Sequence, residues 1–139
     1  MTNGPINVWT SQEAYGDSGD TFVLDGSNIN LGVVGNSHST FIVRGYGDQL
    51  SLGPMDSYET VLDRGSGTNL WFRALQGPVS VLGFGNDPTG TISLYNMGYA
   101  NAAQAAASMT PDGTGGWKLG MVDFVGAHPT AAQLRIINT

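Results

Sequence analysis

The sequence predicts an all-β fold, a right-handed parallel β-solenoid with two sheets, and three observations carry that expectation. First, the phrase TFVLDG (21–26) returns as TFIVRG (40–45), as TVLDRG (60–65) and more loosely as PVSVLG (78–83). Second, the copies are spaced roughly 18–20 residues apart, the scale of stacked units rather than of one globular core. Third, each copy is followed by a Gly-containing corner and a second short apolar run. Short strand, corner, short strand, corner, repeated in register, describes one coil of a two-sided β-roll. An antiparallel sandwich is the alternative, but hairpins do not require every other strand to carry matching outward residues.

The strands follow in order. The first of each pair is FVL (22–24), FIV (41–43), VL (61–62) and VSV (79–81). The second is INL (29–31), LSL (50–52), LWF (70–72) and ISL (92–94). Side chains alternate between the two faces of a strand. In the second set, Ile29/Leu31, Leu50/Leu52, Leu70/Phe72 and Ile92/Leu94 therefore share one side, and Asn30, Ser51, Trp71 and Ser93 share the other. A strand buried on one face explains that parity. The corners DGSN (25–28), GYGD (45–48), GSGT (65–68) and GFGN (83–86) are turn formers, with Gly supplying positive φ and Asp/Asn local backbone bonds.

In the first strand the same alternation leaves Val23, Ile42 and Leu62 in an outward aliphatic column. Such a stripe calls for a cover. The Ala-rich segment 99–109, with high helix propensity and small side chains, is the expected one, and Pro111-Asp112-Gly113 ends it. The rival is an interface to another copy or domain. The tail then reads as strands 117–119 and 121–125, a helical turn at Thr130 and a last strand 134–137. With INVW (6–9), it is expected to cap the open ends of the stack. The chain is thus one domain of 139 residues, with an N-terminal cap (1–20), repeats (21–95), and a helix with a C-terminal cap (96–139).

Composition narrows the partners. The formal net charge is -6 and only five residues are basic, scattered rather than clustered, which argues against nucleic acid and anionic membranes. There is no cysteine, so no disulfide, thiolate metal site or cysteine nucleophile. No run approaches the length of a transmembrane segment, and residues 1–20 lack the apolar stretch of a signal peptide. Glycine, at 21 residues, is about twice its usual share, while the 40% hydrophobic content is too high for disorder.

The window GYGDQLSL (45–52) resembles one unit of the glycine- and aspartate-rich nonapeptide of hemolysin-type (repeats-in-toxin) β-rolls. The tail, with its Ala-rich helix, TPDGTGGWKL (110–119), MVDFVG (121–126) and LRII (134–137), looks like the C-terminal end of type I-secreted proteins of that family. The resemblance implies a secreted or cell-surface protein exported through an uncleaved C-terminal signal. It also implies calcium at the corners, with Asp48, Asp25 and Asp63 as candidate ligands and no other cofactor. Calcium takes six to eight oxygens, and the neighbouring corners lack an aspartate in register. A degenerate roll held by side-chain packing is therefore the competing reading. Asp17 and Asp20 form a separate carboxylate pair that reads as surface loop.

Catalytic patterns are weak. His38 and His128 fall in loops without triad partners, and GNSHS (35–39) lacks the closing glycine of a nucleophile elbow. Asp63, Arg64, Arg44 and Arg73 could be cast as a polysaccharide-modifying site, but solvated corner charges are the plainer reading, and the chain is expected not to be an enzyme. Binding fits better. Trp71, flanked by outward Asn69 and Arg73, offers a flat indole on a rigid sheet beside hydrogen-bonding groups, an arrangement suited to a sugar ring. Cover by a loop or terminus is the alternative for Trp71. Trp9 and Trp117 read as cap residues, and Tyr46 and Phe84 as corner plugs or a contact ladder. The sequence thus points to a secreted structural or interaction module for adhesion, matrix or self-assembly, or to a carbohydrate-binding module. A β-helical polysaccharide-modifying enzyme is a distant third. Self-association or a glycan is the expected partner.

Overall fold

A computed structural model describes residues 6–8, 12–15 (backbone only), 19–35, 37–53, 56–73 and 75–139. They form a parallel β-solenoid of two sheets, with strands numbered in chain order. Sheet I runs β1 (Ile6–Val8), β3 (Thr21–Leu24), β5 (Thr40–Val43), β7 (Glu59–Asp63), β9 (Val79–Leu82), β13 (Val122–Val125), β12 (Trp117–Leu119), β11 (Thr110–Pro111). Sheet II runs β2 (Gln12–Tyr15), β4 (Asn30–Val34), β6 (Gln49–Leu52), β8 (Asn69–Phe72), β10 (Thr91–Tyr95), β14 (Leu134–Ile137). Neighbouring strands are parallel except at β11–β12 and β12–β13.

The expected ladders are present. Phe22 lies opposite Phe41 and Leu50 opposite Leu70. The Phe22 and Phe41 rings stack with centroids 5.2 Å apart and planes 9° from parallel. Between the sheets the column Phe22–Phe41–Val61–Val81–Phe124 faces Leu31–Leu50–Leu70–Ile92–Leu134, and every member is buried. Burying one such side chain stabilises the fold by about 1.5–3 kcal/mol, so each coil is held by its own apolar pair and its neighbours'.

Glycines at the corner from sheet I to sheet II make this close stacking possible. A Cβ on Gly45 would run into the Gly26 carbonyl, one on Gly65 would press on the Gly45 carbonyl, and one on Gly83 would strike that of Asp63. The glycine ending the second, third and fourth phrases is therefore required by the coil before it. Two residues beyond the phrase-ending glycines, Asn28, Gly47 and Gly67 share the left-handed region at φ 57°, 69° and 64°. Asn is the residue best able to replace Gly there.

Three expectations change. The second strand of the first copy pairs as Leu31-Gly32-Val33 against Leu50-Ser51-Leu52, two residues beyond the alignment from sequence. Ile29 instead occupies the corner position held by Asp48 and Thr68 in the following coils. A two-residue slip keeps the same face, so apolar parity alone could not detect it. The segments read as caps also contribute further rungs: β1 and β2 pair in parallel with β3 and β4, and β13 and β14 with β9 and β10. Trp9 lies outside the described residues.

The third change concerns the helix. It spans Ala102–Ala107, shorter than expected, with the Asn101 side chain accepting the Gln104 N–H at 2.8 Å. It packs against β14 and the 3-10 turn Ala131–Gln133, burying Ala105, and not against Val23, Ile42 or Leu62. The chain enters this helix from β10 in sheet II, so its short path keeps it at that sheet's C-terminal end.

Candidate binding groove on sheet II

Alternation along the sheet II strands aims three columns outward. Asn30, Gln49, Asn69 and Thr91 form one; Gly32, Ser51, Trp71, Ser93 and Arg135 form the next; Val34, Arg73, Tyr95 and Ile137 belong to the third. The residue opposite Trp71 in the two preceding coils is small, Ser51 and then Gly32, so the surface dips beside the indole. Gly53 extends that floor, and a Cβ there would come within 2.9 Å of the Val33 carbonyl. The result is a groove of about 540 Å³ lined by Val34, Gln49, Trp71, Arg73 and Tyr95 over Gly32, Ser51 and Gly53.

Local contacts fix the groove's side chains. The Arg73 guanidinium lies 5.0 Å from the centre of the Tyr95 ring, a cation–π contact. Asn69 Oδ1 accepts hydrogen bonds from the hydroxyls of Thr91 (3.0 Å) and Ser93 (3.3 Å), and Gln49 Nε2 donates to Ser51 Oγ (3.3 Å). Trp71 is half-buried, and its Nε1 is buried with no hydrogen-bond partner among the described residues. An unpaired buried donor costs roughly 1–3 kcal/mol, so Trp71 is not placed for stability alone.

Asn69, Trp71 and Arg73 thus come together as the sequence suggested, with neither the helix nor the tail over the indole. Sequence reading missed Tyr95, Gly32 and Gly53. Tyr95 was available from alternation beyond Ser93, whereas the two glycines needed the correct register.

The outer face of sheet I carries the other candidate residues. Val23, Ile42 and Leu62 do form a column, and Leu82 and Val125 continue it. Beside it stand Thr21, Thr40, Thr60 and Ser80. Val23 is buried and the other four aliphatics are half-buried, packed flank to flank rather than protruding.

The candidate calcium ligands are separated by which way they face. Asp25 is turned outward and pairs with Arg44 at 3.8 Å. Asp48 is fully buried, and its Oδ1 accepts the Ile29 N–H at 2.8 Å. Asp63, also buried, accepts from Thr68 Oγ1 (2.8 Å) and the Gly65 N–H (3.1 Å). Among the described residues no three carboxylates or histidines converge as a metal cluster, and the outward Asp25 lies apart from the buried Asp48 and Asp63. Asp17 lies outside the described residues.

The inward carboxylates serve the backbone instead. Glu59 accepts the Ser39 N–H (3.2 Å), and Asp87 accepts those of Gly67 (2.8 Å) and Thr68 (3.1 Å). With Asp48, each reaches back to satisfy donors of the preceding coil, where the strand ladder has ended. Burial pushes the Glu59 carboxyl up to about 7, with the Asp56 carboxylate adding to it. Burial likewise pushes Asp63 up to about 7, reinforced by the facing Asp87. Asp48 is also raised by burial.

The remaining candidates disperse. Arg44 and Arg64 are exposed beyond sheet I, Asp63 faces inward and Arg73 lies on the other sheet, so these four form no common site. Tyr46 is exposed, whereas Phe84 is buried against Phe124 with ring centroids 5.8 Å apart, so the two line no common edge. His128 stacks on Trp117 at 4.0 Å and His38 on Tyr58 at 5.0 Å. A cleft of about 620 Å³ opens near His128, but proline, alanine and threonine make up much of its wall, and the Lys, Arg, Asp or Glu side chain that lines it is Arg135. The Arg135 Nη1 donates to the Ala132 and Leu134 carbonyls at 2.8 and 3.1 Å. No protein-family model, curated protein or solved structure matches the chain.

Proposed function

We propose that this protein is a non-catalytic, extracellular binding module that takes a carbohydrate chain in the groove of sheet II. The observation that carries the reading is Trp71 beside a floor of Gly32, Ser51 and Gly53, with Arg73, Tyr95 and Gln49 around it. An indole offers its apolar face to the C–H face of a sugar ring, and the adjacent amide and guanidinium donors meet the hydroxyls. The surface is rigid because each strand is laddered on both sides, so little ordering cost falls on binding. Affinity electrophoresis and a glycan array test this reading. Retarded migration in at least one polysaccharide gel, abolished by Trp71→Ala, is the expected result. Equal mobility of parent and variant in every gel, with an empty array, would exclude it.

A second reading, self-association in a matrix or adhesive assembly, is favoured by the outward Val23–Ile42–Leu62–Leu82–Val125 column, which the helix leaves uncovered. Neutral, level sheet faces can pack on one another. Concentration-dependent elution on size exclusion that disappears in Ile42→Lys would support it, and a monomer at all concentrations would remove it.

A further inference from the structure

Charge is distributed unevenly over this molecule. The chain has a formal net charge of -6, yet the outward columns of sheet II hold two of the five basic residues, Arg73 and Arg135, and among the described residues the one acidic residue registered in them is Glu13, opposite Gly32 at the N-terminal end. Between residues 20 and 87, the described acidic groups lie in corners or point inward, while Asp112 sits in a C-terminal turn and Asp123 stands outward on β13 of sheet I, opposite Ser80. Arg73 is exposed and, among the described residues, pairs with no carboxylate; its neighbour is the Tyr95 ring. An acidic protein that keeps an unpaired guanidinium at its groove matches a partner that brings the negative charge itself.

We infer that the glycan is acidic, a chain containing uronic acid residues, an inference that rests on the proposed groove. Trp71 takes the face of one sugar ring while Arg73, held by Tyr95, receives that chain's carboxylate through its planar fork. A guanidinium stacked on an aromatic ring leaves its N–H edge free, and two parallel N–H donors fit the two oxygens of a carboxylate. Arg135 lies two strands further along the axis, about 10 Å at the usual strand spacing, and supplies a second cation for a longer chain. The two cations stand in a chain that is acidic overall, which suits a sparsely charged polymer better than the dense phosphates of a nucleic acid.

Isothermal titration against four probes tests this: hexamers of galacturonate, hexamers of a neutral glucan, a sulfated galactan, and single-stranded DNA. The expected result is binding of the galacturonate hexamer that weakens with salt and falls about tenfold or more in both Arg73→Ala and Arg73→Lys. Thermal melting of each variant checks that it remains folded. Binding of the neutral glucan that needs Trp71 but ignores Arg73 would overturn the acidic assignment and leave the proposed groove intact. Tighter binding of the sulfated galactan would overturn the carboxylate. Binding of DNA alone, or of no probe, would overturn this inference, and an empty array in the first experiment would then remove the groove as well.

Discussion

The two outer faces of this solenoid are built from the same kind of strand and carry different information. On sheet I, Thr21, Thr40, Thr60 and Ser80 stand in one column and Val23, Ile42, Leu62, Leu82 and Val125 in the next, so the rungs from β3 to β9 nearly copy one another, and the pattern breaks only at the end strands, with Asn7 on β1 and Asp123 on β13. On sheet II the corresponding column reads Gly32, Ser51, Trp71, Ser93, Arg135, two small residues followed by an indole, a hydroxyl and a guanidinium. A repeating face is accounted for by repetition and by lateral packing of like side chains. A face that departs from the repeat, and tolerates a buried unpaired indole N–H, asks for another explanation. Irregularity on a regular scaffold is the signal of function here.

Four experiments probe that contrast. The largest effect is expected where both faces depend on the same backbone contact. Gly45→Ala places a methyl group against the Gly26 carbonyl and should destabilise the protein by about 3 kcal/mol or more, read by chemical denaturation. Unchanged stability would mean that coil spacing is not set at that corner.

Next comes pH. Glu59 moves from 4.5 to about 7 on folding and Asp63 from 3.8 to about 7. Raised values mean that the folded state holds these protons more tightly. Their contribution is fully present below about pH 4 and is lost as pH rises through 7. Asp112 opposes this at the acid end, because the Thr114 N–H and neighbouring donors hold it at about 2, so its contribution is lost as pH falls towards that value. The melting temperature should therefore decline from about pH 4 to 7, and Glu59→Gln should flatten the decline. A melting curve that rises steadily over that interval would contradict the buried carboxyl assignment.

A smaller and more discriminating effect separates the faces. Leu62→Ala on sheet I should cost about 1 kcal/mol, as expected for a half-buried aliphatic in a packed column, and leave glycan binding unchanged. Trp71→Phe on sheet II removes the unpaired donor and should shift stability by less than about 1 kcal/mol while weakening binding. If both variants changed stability and binding in proportion, the division of labour between the faces would fail. The smallest expected effect is that of a chelator. The inward aspartates already accept backbone and hydroxyl donors, so EDTA or millimolar calcium should move the melting temperature by less than about 2 °C; a large shift would restore an ion at the corners.

Much of the architecture was legible because solenoid physics repeats itself in sequence. The four phrases ending at Gly26, Gly45, Gly65 and Gly83 announced the stacking, and period-two alternation placed Leu50, Leu70 and Ile92 inside. Trp71 and Arg73 were legible as outward neighbours for the same reason. What was hidden depended on quantities that alternation cannot encode. A two-residue shift of the first copy keeps parity, so Gly32 was not seen beneath the Trp71 column. The Ala-rich helix has a propensity but no address, and its place beside β14 follows from chain path. Asp48 was legible only as a corner residue and candidate calcium ligand, and nothing in the sequence singled out Glu59, because carboxylates seldom enter a core. Only the preceding coil's unpaired N–H groups explain their burial.

The glycine corner column has one more consequence, for how such a chain could grow. Because carbonyl meets glycine from coil to coil, the pitch at that corner belongs to the backbone and not to any one side chain. Copying a whole turn, for example residues 45–64 placed again before Gly65, would present each new junction with the contact it already makes. The same duplication would lengthen the strip on sheet II by one rung, about 5 Å, and so extend the reach of a polymer-binding surface in fixed steps.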